Sequence, residues 1–194
     1  MVAVSSTMLP LGTPAPDFDL VDTDGNRVRR DDYAGKPILV AFICNHCPFV
    51  KHIAAELATF AREAAAKGVP VVAINSNDTT THPEDAPPQM LAEKRARDYV
   101  FPYLFDPTQE IAKAYRAACT PDFFLFDRQH RLVYRGRFDA TKPQQAPPQV
   151  PDGRELRAAV EALVNGKPMP QAQHASIGCN IKWRPGNAPD YFGS

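Results

Sequence analysis

The sequence has no excess of charge of either sign. Lysine plus arginine and aspartate plus glutamate each number 22 in 194 residues, so the formal net charge is zero. A balanced chain carries no positive field that would attract a phosphate backbone or anionic lipid. We therefore expect neither nucleic acid nor a membrane surface as a partner.

Long apolar runs and dense cysteine are also absent. The first 18 residues, MVAVSSTMLPLGTPAPDF, contain neither a basic region nor a long apolar segment. Such a stretch is typical of neither a secretory signal nor a transmembrane helix. Two of the four cysteines lie close together and the other two are isolated, unlike the cysteines in the disulfide framework of a small secreted scaffold. These features predict a reducing, cytoplasmic location.

The first half of the chain predicts strands and a helix in alternation. An alternating stretch around Asp24-Gly25 predicts an N-terminal β-hairpin, because this pair tolerates positive φ in a two-residue turn. The run KPILVAFI, residues 36–43, predicts a central strand covered on both faces. Apolar residues then recur at three- and four-residue steps from Val50, which predicts a helix that ends at Gly68.

The second half continues the alternation. VPVVAINSN, residues 69–77, predicts the next buried strand, and a helix near Gln89 to Asp98 follows, with Asp85 as its predicted cap. A short strand, a helix and two strands around a polar turn come next. The last helix has Asp152 and Glu155 in the spacing of a capping box.

The tail is longer than this succession of elements needs. We expect residues 1–166 to form one domain and residues 167–194 to form a C-terminal extension packed on it. Ile177, Ile181 and Trp183 alternate with polar residues, so an extended segment could bury one face. The expectation is that Cys179 then lies on the same side as Cys44, with Cys119 as its bridging partner.

The stretch FICNHCPFVKHI, residues 42–53, places Cys44 and Cys47 where a central strand meets a helix. The spacing alone allows half of a zinc site, a structural disulfide or a redox dithiol. A zinc site usually takes two short-spaced pairs, whereas this chain has one pair plus Cys119 and Cys179. The pattern favours a redox dithiol, with no metal and no other cofactor.

The order of hairpin, βαβ and αββα, with Cys-x-x-Cys after the first central strand, is the thioredoxin arrangement. Further matching segments are GTPAPDFDLVDTDG, AINSND with PEDAPPQM, FPYLFDPTQEIAKAYRAACTPDFFLFD, LVYRGRFDA and SIGCNIKW. In them the chain resembles the peroxiredoxin-like branch of the thioredoxin superfamily, the alkyl hydroperoxide reductase and thiol-specific antioxidant group, in a subgroup with a Cys-x-x-Cys motif. The resemblance implies a thioredoxin-like α/β fold with a central mixed sheet flanked by helices. It also implies a cis-proline at Pro121 that faces the dithiol.

The dithiol residues receive distinct expected roles. Amides at a helix N-terminus favour an anion, so Cys44 is expected to be the nucleophilic thiolate and Cys47 the resolving thiol. His46 is expected to stabilise the reduced form, as a histidine does at this place in protein disulfide isomerases. Pro48 suits the first helical turn, where its missing N–H costs little. Other site-shaping candidates are Asn45, Thr120 and Pro121, and the possible accessory thiols are Cys119 and Cys179.

The leading hypothesis is a thiol–disulfide oxidoreductase that cycles Cys44 and Cys47 against protein or low-molecular-weight thiols and disulfides. A thioredoxin or glutathione system would be its reducing partner. One alternative is a thiol-dependent peroxidase with Cys47 as the peroxidatic cysteine. Cys47-Pro48 matches the peroxiredoxin pattern, but Cys44 replaces its threonine and Val40 its proline. A second alternative is a module that binds a soft metal such as copper(I) without turnover.

Overall fold

The computed structural model of the chain describes residues 3–192. The first two residues of the predicted domain and the last two of the predicted extension lie outside the described residues. The strands are β1 (Ala3–Ser5), β2 (Asp19–Asp22), β3 (Arg27–Arg29), β4 (Ile38–Phe42), β5 (Val71–Asn75), β6 (Tyr103–Phe105), β7 (Cys119–Thr120), β8 (Asp122–Phe126), β9 (Leu132–Gly136) and β10 (Ile177–Asn180). The helices are α1 (Pro48–Ala66), α2 (Pro87–Ala96), α3 (Glu110–Ala114) and α4 (Arg154–Val164). Over residues 3–192, none of them is long and apolar enough to cross a membrane.

Seven strands form the main sheet, in the order β3-β2-β6-β5-β4-β8-β9. β5 pairs in parallel with β4 and β6, and the remaining pairs are antiparallel. Every residue of β4 and β5 is buried, as their continuous apolar sequences predict for strands covered on both faces. The predicted central mixed sheet is confirmed, and its central strand β4 leads directly into the dithiol.

Helices and loops cover both faces of this sheet. The apolar stripe of α1 packs on one face together with α4, and the buried positions of α1 are Val50, Ile53, Ala54, Leu57, Ala58, Phe60, Ala61 and Ala64. The other face packs against Ala112 of α3, Tyr115 and the N-terminal loop around Phe18. Each large apolar side chain buried in this way contributes about 1.5–3 kcal/mol. The two layers hold the end of β4 in a fixed position.

Some local predictions are confirmed and others are wrong. The β2–β3 hairpin forms, with Gly25 at φ +87° in its turn, and Gly68 follows α1 at φ +79°. α2 begins two residues before the predicted helix, and its N-cap is Ala86, so Asp85 does not cap it. The predicted capping box of the last helix is also wrong, since Gly153 is the N-cap of α4 and Glu155 pairs with Arg137.

A second, three-stranded sheet has the order β1-β10-β7, with both pairs antiparallel. Its middle strand β10 comes from the C-terminal tail, and its outer strands come from residues 3–5 and 119–120. Ile181 is buried, Trp183 packs at the edge of the core and Ile177 stays 39% exposed. The tail is therefore held by the sheet ladder and buries only part of the predicted face.

β10 approaches β7 so closely that residue 178 has no room for a side chain. A Cβ built on Gly178 would lie 2.0 Å from the Thr120 carbonyl oxygen. Backbone contacts of that length are sterically forbidden, and a glycine removes the conflict. Gly178 thereby allows the next residue, Cys179, to pair directly with Thr120 beside the dithiol.

Candidate active site

Cys44 and Cys47 lie in the loop between β4 and α1. Cys47 is the N-cap residue of α1, and Pro48 occupies the first helical position. Both thiols are free, and the two residues are 1% and 0% exposed. The helix therefore begins after the second cysteine, and its first-turn amides face Cys47. The expected stabilisation of a Cys44 thiolate by the helix N-terminus is wrong for this reason.

Cys47 is the central sulfur of the site. Hydrogen bonds with the Cys179 thiol and then the Cys44 thiol lower the pKa of Cys47, against the effect of burial. The backbone amides of Val50 and Cys179 add to this lowering. In its protonated form Cys47 donates to the Thr120 carbonyl oxygen at 3.1 Å. Cys47 is the more acidic member of the dithiol.

Cys44 has a different environment. Burial is the main cause that raises the pKa of its thiol, and the neighbouring Cys47 and Asp85 raise it further. The Thr120 hydroxyl, 3.3 Å from Cys44 Sγ, opposes this effect by hydrogen bonding. His46 Nδ1 lies 3.8 Å from the same sulfur. The Nδ1–H of His46 that bonds to Asp85 is therefore also close to Cys44, and it can donate to this sulfur once Cys44 is a thiolate.

Asp85 organises the dithiol loop, although the sequence suggested only a helix cap for it. Its carboxylate is fully buried and accepts hydrogen bonds from His46 Nδ1 at 2.6 Å, Asn45 N at 2.8 Å, His46 N at 3.2 Å and Asn77 Nδ2 at 2.7 Å. Burial alone would raise the pKa of Asp85, but the bonds from His46 and Asn77 lower it overall. Asp85 therefore remains an anion that fixes the orientation of the His46 ring.

A second set of contacts fixes the position of this carboxylate and of Asn45. Asn75 Nδ2 donates to the backbone oxygen of Asp85 at 2.8 Å. The Tyr103 hydroxyl donates to Asn45 Oδ1 at 3.1 Å, and Asn45 Nδ2 donates to the Glu84 carbonyl at 2.8 Å. Asn75 is the last residue of β5, and Tyr103 is the first residue of the neighbouring parallel strand β6. The sheet itself therefore positions the loop. The segments AINSND and PEDAPPQM are the signals in the sequence that place polar residues there.

Two other histidines lie near the site. The ring of His82 stacks on His46 with centroids 4.7 Å apart, and burial lowers the pKa of His82. His52, on α1, lies 2.9 Å from the Thr141 hydroxyl. It lines a groove beside the dithiol loop with Phe49, Pro121 and Phe138. His82 thus contacts the site, which the sequence did not predict.

Thr120 and Pro121 face the two cysteines across the site. The Thr120–Pro121 peptide bond is cis, as the resemblance implied. Thr120 contacts Cys44 through its hydroxyl and Cys47 through its carbonyl oxygen. It also pairs with Cys179 across the β7–β10 ladder. The predicted residues Cys44, Asn45, His46, Cys47, Pro48, Thr120, Pro121 and Cys179 therefore lie together.

Cys119 lies apart from them. It precedes Thr120 on β7 and pairs with Asn180, so its side chain points to the opposite face of this small sheet from Cys179. Its sulfur contacts the carbonyl oxygens of Pro121 and Ser176 at 3.7 and 4.0 Å. The structure does not support Cys119 as the bridging partner of Cys179.

The sequence pattern of the AhpC/TSA family matches residues 11–135 of the chain. This range includes both cysteines of the dithiol loop, Asp85 and the cis-proline. The chain belongs to the AhpC/TSA family. The predicted membership is confirmed.

Two solved structures share nearly the whole length of this AhpC/TSA protein. An uncharacterized conserved protein of Geobacillus kaustophilus is 51% identical with a TM-score of 0.91, over 95% of this chain and 98% of that one. A hypothetical protein of Sinorhizobium meliloti 1021 is 49% identical with a TM-score of 0.90, over 94% of this chain and 99% of that one. Both contain the complete fold described above, since their coverage leaves few residues unmatched.

A more distant relative has a named activity. The thiol-disulfide oxidoreductase ResA of Bacillus thuringiensis is 26% identical over 139 residues, which cover 70% of this chain and 75% of that protein. The predicted thioredoxin-like fold of this AhpC/TSA protein is confirmed by its own topology, in which the dithiol follows the central strand.

Three side chains that could hold a metal ion also meet at the site. Cys44, His46 and Asp85 each provide one donor atom, and these three atoms lie within 4.8 Å of one another. Thiolate, imidazole and carboxylate are the donor types that zinc accepts. The alternative of metal binding predicted from the sequence therefore involves His46 and Asp85 with Cys44, instead of the two cysteines alone.

Proposed function

We propose that the protein is a thiol–disulfide oxidoreductase in which Cys44 and Cys47 alternate between dithiol and disulfide. Its substrates are thiols and disulfides of proteins or small molecules. The observation that carries this function is the hydrogen-bonded pair of sulfurs between the central strand and α1, opposite a cis-proline. The named activity of the ResA relative supports the same conclusion.

Reduction of a substrate disulfide proceeds in two exchanges. Cys44 attacks one sulfur of the substrate disulfide, forms a mixed disulfide and releases the other substrate sulfur as a thiolate. The Cys47 thiolate then attacks Cys44 Sγ, which forms the Cys44–Cys47 disulfide and releases the second substrate thiolate. Two electrons pass from the dithiol to the substrate. The same steps in reverse oxidise a substrate dithiol.

The surroundings of each sulfur suit its step. Burial raises the pKa of Cys44, and the His46 Nδ1–H, oriented by Asp85, lies 3.8 Å from Cys44 Sγ, where it can donate to the Cys44 thiolate. The pKa of Cys47 is lowered, first by its hydrogen bond with Cys179, which does not involve Cys44 and so remains in the mixed disulfide. A histidine donor beside Cys44 supports the predicted nucleophile, by a route other than the helix N-terminus.

The direction of electron flow depends on a partner. A thioredoxin or glutathione system in a reducing compartment would return the disulfide to the dithiol and make the protein a reductase. This partner and a cytoplasmic location are part of the proposal. Cell fractionation with an antibody against the protein, together with alkylation of its thiols at the moment of lysis, tests both. Recovery of the Cys44–Cys47 pair chiefly as disulfide from an oxidising compartment would contradict them.

Reduction of insulin disulfides with dithiothreitol as donor tests the catalytic assignment. Cys44→Ala should abolish turnover, and Cys47→Ala should accumulate a mixed disulfide with the substrate that mass spectrometry detects. Cys119→Ala is the matched control, because its buried thiol faces away from the site. Full activity in Cys44→Ala would show that the catalytic assignment is wrong. Metal analysis of protein purified without chelator is a separate test, in which stoichiometric zinc or copper would favour a metal-binding role.

A peroxidase reaction at Cys47 is the second candidate, favoured by the lowered pKa of this thiol at the start of α1. Peroxiredoxins also use an arginine far in sequence from the peroxidatic cysteine, and the three candidate arginines of this chain oppose the reaction. Arg116 lies over the Tyr191 ring, Arg135 bonds to the Leu9 carbonyl and Arg137 pairs with Glu155, so each of these arginines is engaged away from the thiols. Stopped-flow oxidation by hydrogen peroxide distinguishes the two reactions. A rate no faster than that of a free thiol of the same pKa excludes the peroxidase.

A further inference from the structure

The three thiols of Cys44, Cys47 and Cys179 are arranged with Cys47 in the middle. Cys47 is hydrogen-bonded to both of the other sulfurs. Cys44 and Cys179 come from different elements, since one belongs to the loop after β4 and the other to β10 in the smaller sheet. The Cys44–Cys47 couple of the proposed function uses only one of these two contacts.

The position of Cys179 is built into the fold. Gly178 allows β10 to lie so close to the Thr120 carbonyl that any residue with a Cβ would clash there. The β7–β10 ladder then pairs Cys179 with Thr120. Directly paired residues of an antiparallel ladder project to the same face. Thr120 contacts the dithiol on that face, so Cys179 projects toward the dithiol as well.

We propose that Cys179 is a second resolving thiol, which forms a disulfide with Cys47 in exchange with the Cys44–Cys47 disulfide. This role rests on the proposed function, whose couple it extends. The Cys179 thiolate attacks Cys47 Sγ, the Cys47–Cys179 bond forms, and Cys44 leaves as a thiolate. One S–S bond forms as another breaks, and the proton lost by Cys179 goes to Cys44. The step needs no external oxidant or reductant.

The electrostatics of Cys179 support attack only in the oxidised protein. Its hydrogen bond with Cys47 is the main cause that raises the pKa of Cys179, with burial next, so in the dithiol state Cys179 stays protonated. Once Cys47 is part of a disulfide it carries no negative charge, and this cause is removed. Lys182, three residues on, favours the Cys179 thiolate. Cys179 thus ionises more readily once its target exists than it does in the dithiol state.

The exchange has a direct consequence for the cycle. After it, the disulfide is stored between Cys47 and Cys179, and Cys44 is again a thiol beside His46. Cys44 can then attack another disulfide before the protein has been reduced from outside. A protein with only a two-cysteine couple has no such state.

Oxidation of the Cys44→Ala variant with diamide tests the second disulfide. This variant keeps three of the four thiols of the chain. We expect the thiol count to fall from three to one, with a Cys47–Cys179 peptide pair after digestion. Cys44→Ala/Cys119→Ala should form the same bond, whereas Cys44→Ala/Cys179→Ala should form no internal disulfide. Circular dichroism of each variant establishes that it is folded.

The wild-type protein separates failure of this inference from failure of the proposed function. Alkylation of diamide-oxidised wild type should label Cys44 in a fraction of molecules that carry Cys47–Cys179, and this label should vanish in Cys179→Ala. A Cys44–Cys47 disulfide in wild type with no internal disulfide in folded Cys44→Ala overturns the second resolving thiol alone. A wild type that never forms Cys44–Cys47 at any time after oxidation overturns the proposed couple, and the exchange that rests on it as well.

Discussion

The Asp85 carboxylate lies 2.6 Å from His46 Nδ1, beneath the loop that carries both thiols. Thirty-nine residues separate the two in the chain, and the loop after β5 brings them together. The relationship makes His46 part of a buried ion pair with Asp85 when the ring is protonated. A histidine held in this way directs its Nδ1–H in a fixed orientation, close to Cys44 Sγ.

Asp85→Asn should slow disulfide reduction about 10-fold, which corresponds to ~1.4 kcal/mol of transition-state stabilisation. The amide keeps the shape of the carboxylate but lacks the charge that orients the His46 Nδ1–H, so the pH profile of kcat/KM should shift as well. Asp98→Asn, on an exposed surface ion pair with Arg62, is the matched control. An unchanged pH profile in folded Asp85→Asn would leave Asp85 with a purely structural role.

His46→Gln should make the dithiol a weaker oxidant. The imidazole stabilises the reduced form by its contact with Cys44, and each pKa unit of such stabilisation corresponds to about 30 mV for a two-electron couple. We expect the reduction potential to fall by roughly 30 mV. Equilibration with glutathione buffers, read by alkylation, measures it. His82→Gln tests the stacked neighbour, and an equal shift in both variants would contradict a specific role of His46.

The Asp122 carboxyl makes the free energy of unfolding depend on pH, and a neutral isostere at this position removes that dependence. Burial raises the pKa of Asp122 to about 7, although Ser6 and Ser176 oppose the rise, and within the described residues neither carboxyl oxygen has a hydrogen bond of good geometry. Between about pH 4 and pH 7 the folded protein holds this proton and the unfolded chain has released it, so stability falls as pH rises. This contribution is fully present below the unfolded pKa and is lost once pH passes the folded pKa.

The comparison of Asp122→Asn with wild type isolates this effect. Urea unfolding at several pH values should show the variant gaining stability relative to wild type by roughly 1 kcal/mol per pH unit between about pH 4 and 7. The difference should be constant above about pH 8. Asp98→Asn should track wild type throughout. A difference for Asp122→Asn that does not vary with pH would mean that Asp122 ionises normally in the fold.

Gly178→Ala should destabilise the protein by about 1–3 kcal/mol, because its Cβ would meet the Thr120 carbonyl and force β10 away. The displacement should also lower the yield of the Cys47–Cys179 disulfide after oxidation of the Cys44→Ala background. Ile177→Val, at an exposed position on the same strand, should stay within about 0.5 kcal/mol of wild type. Urea unfolding measures both. Equal stability of Gly178→Ala and wild type would contradict the close approach.

The sequence by itself determined the framework and the dithiol. Continuous apolar runs predicted the buried strands β4 and β5, and the apolar stripe from Val50 predicted α1, because burial selects side chains by their local period. The Cys-x-x-Cys spacing identified Cys44 and Cys47 as one unit. Family resemblance added the cis-proline at Pro121. These features are all local in the chain or fixed by a recurrent motif.

Only the tertiary structure decided which groups surround the sulfurs. Asp85 was predicted as a helix cap, yet it bonds to His46, and Cys119 was predicted to bridge Cys179, yet strand alternation turns it to the other face. The start of α1 at Pro48, and not before Cys47, moved the helix amides to the second cysteine. Hydrogen bonds and thiol contacts act over a few ångströms between segments far apart in sequence. Their partners are set by sheet pairing and register, which no local pattern records.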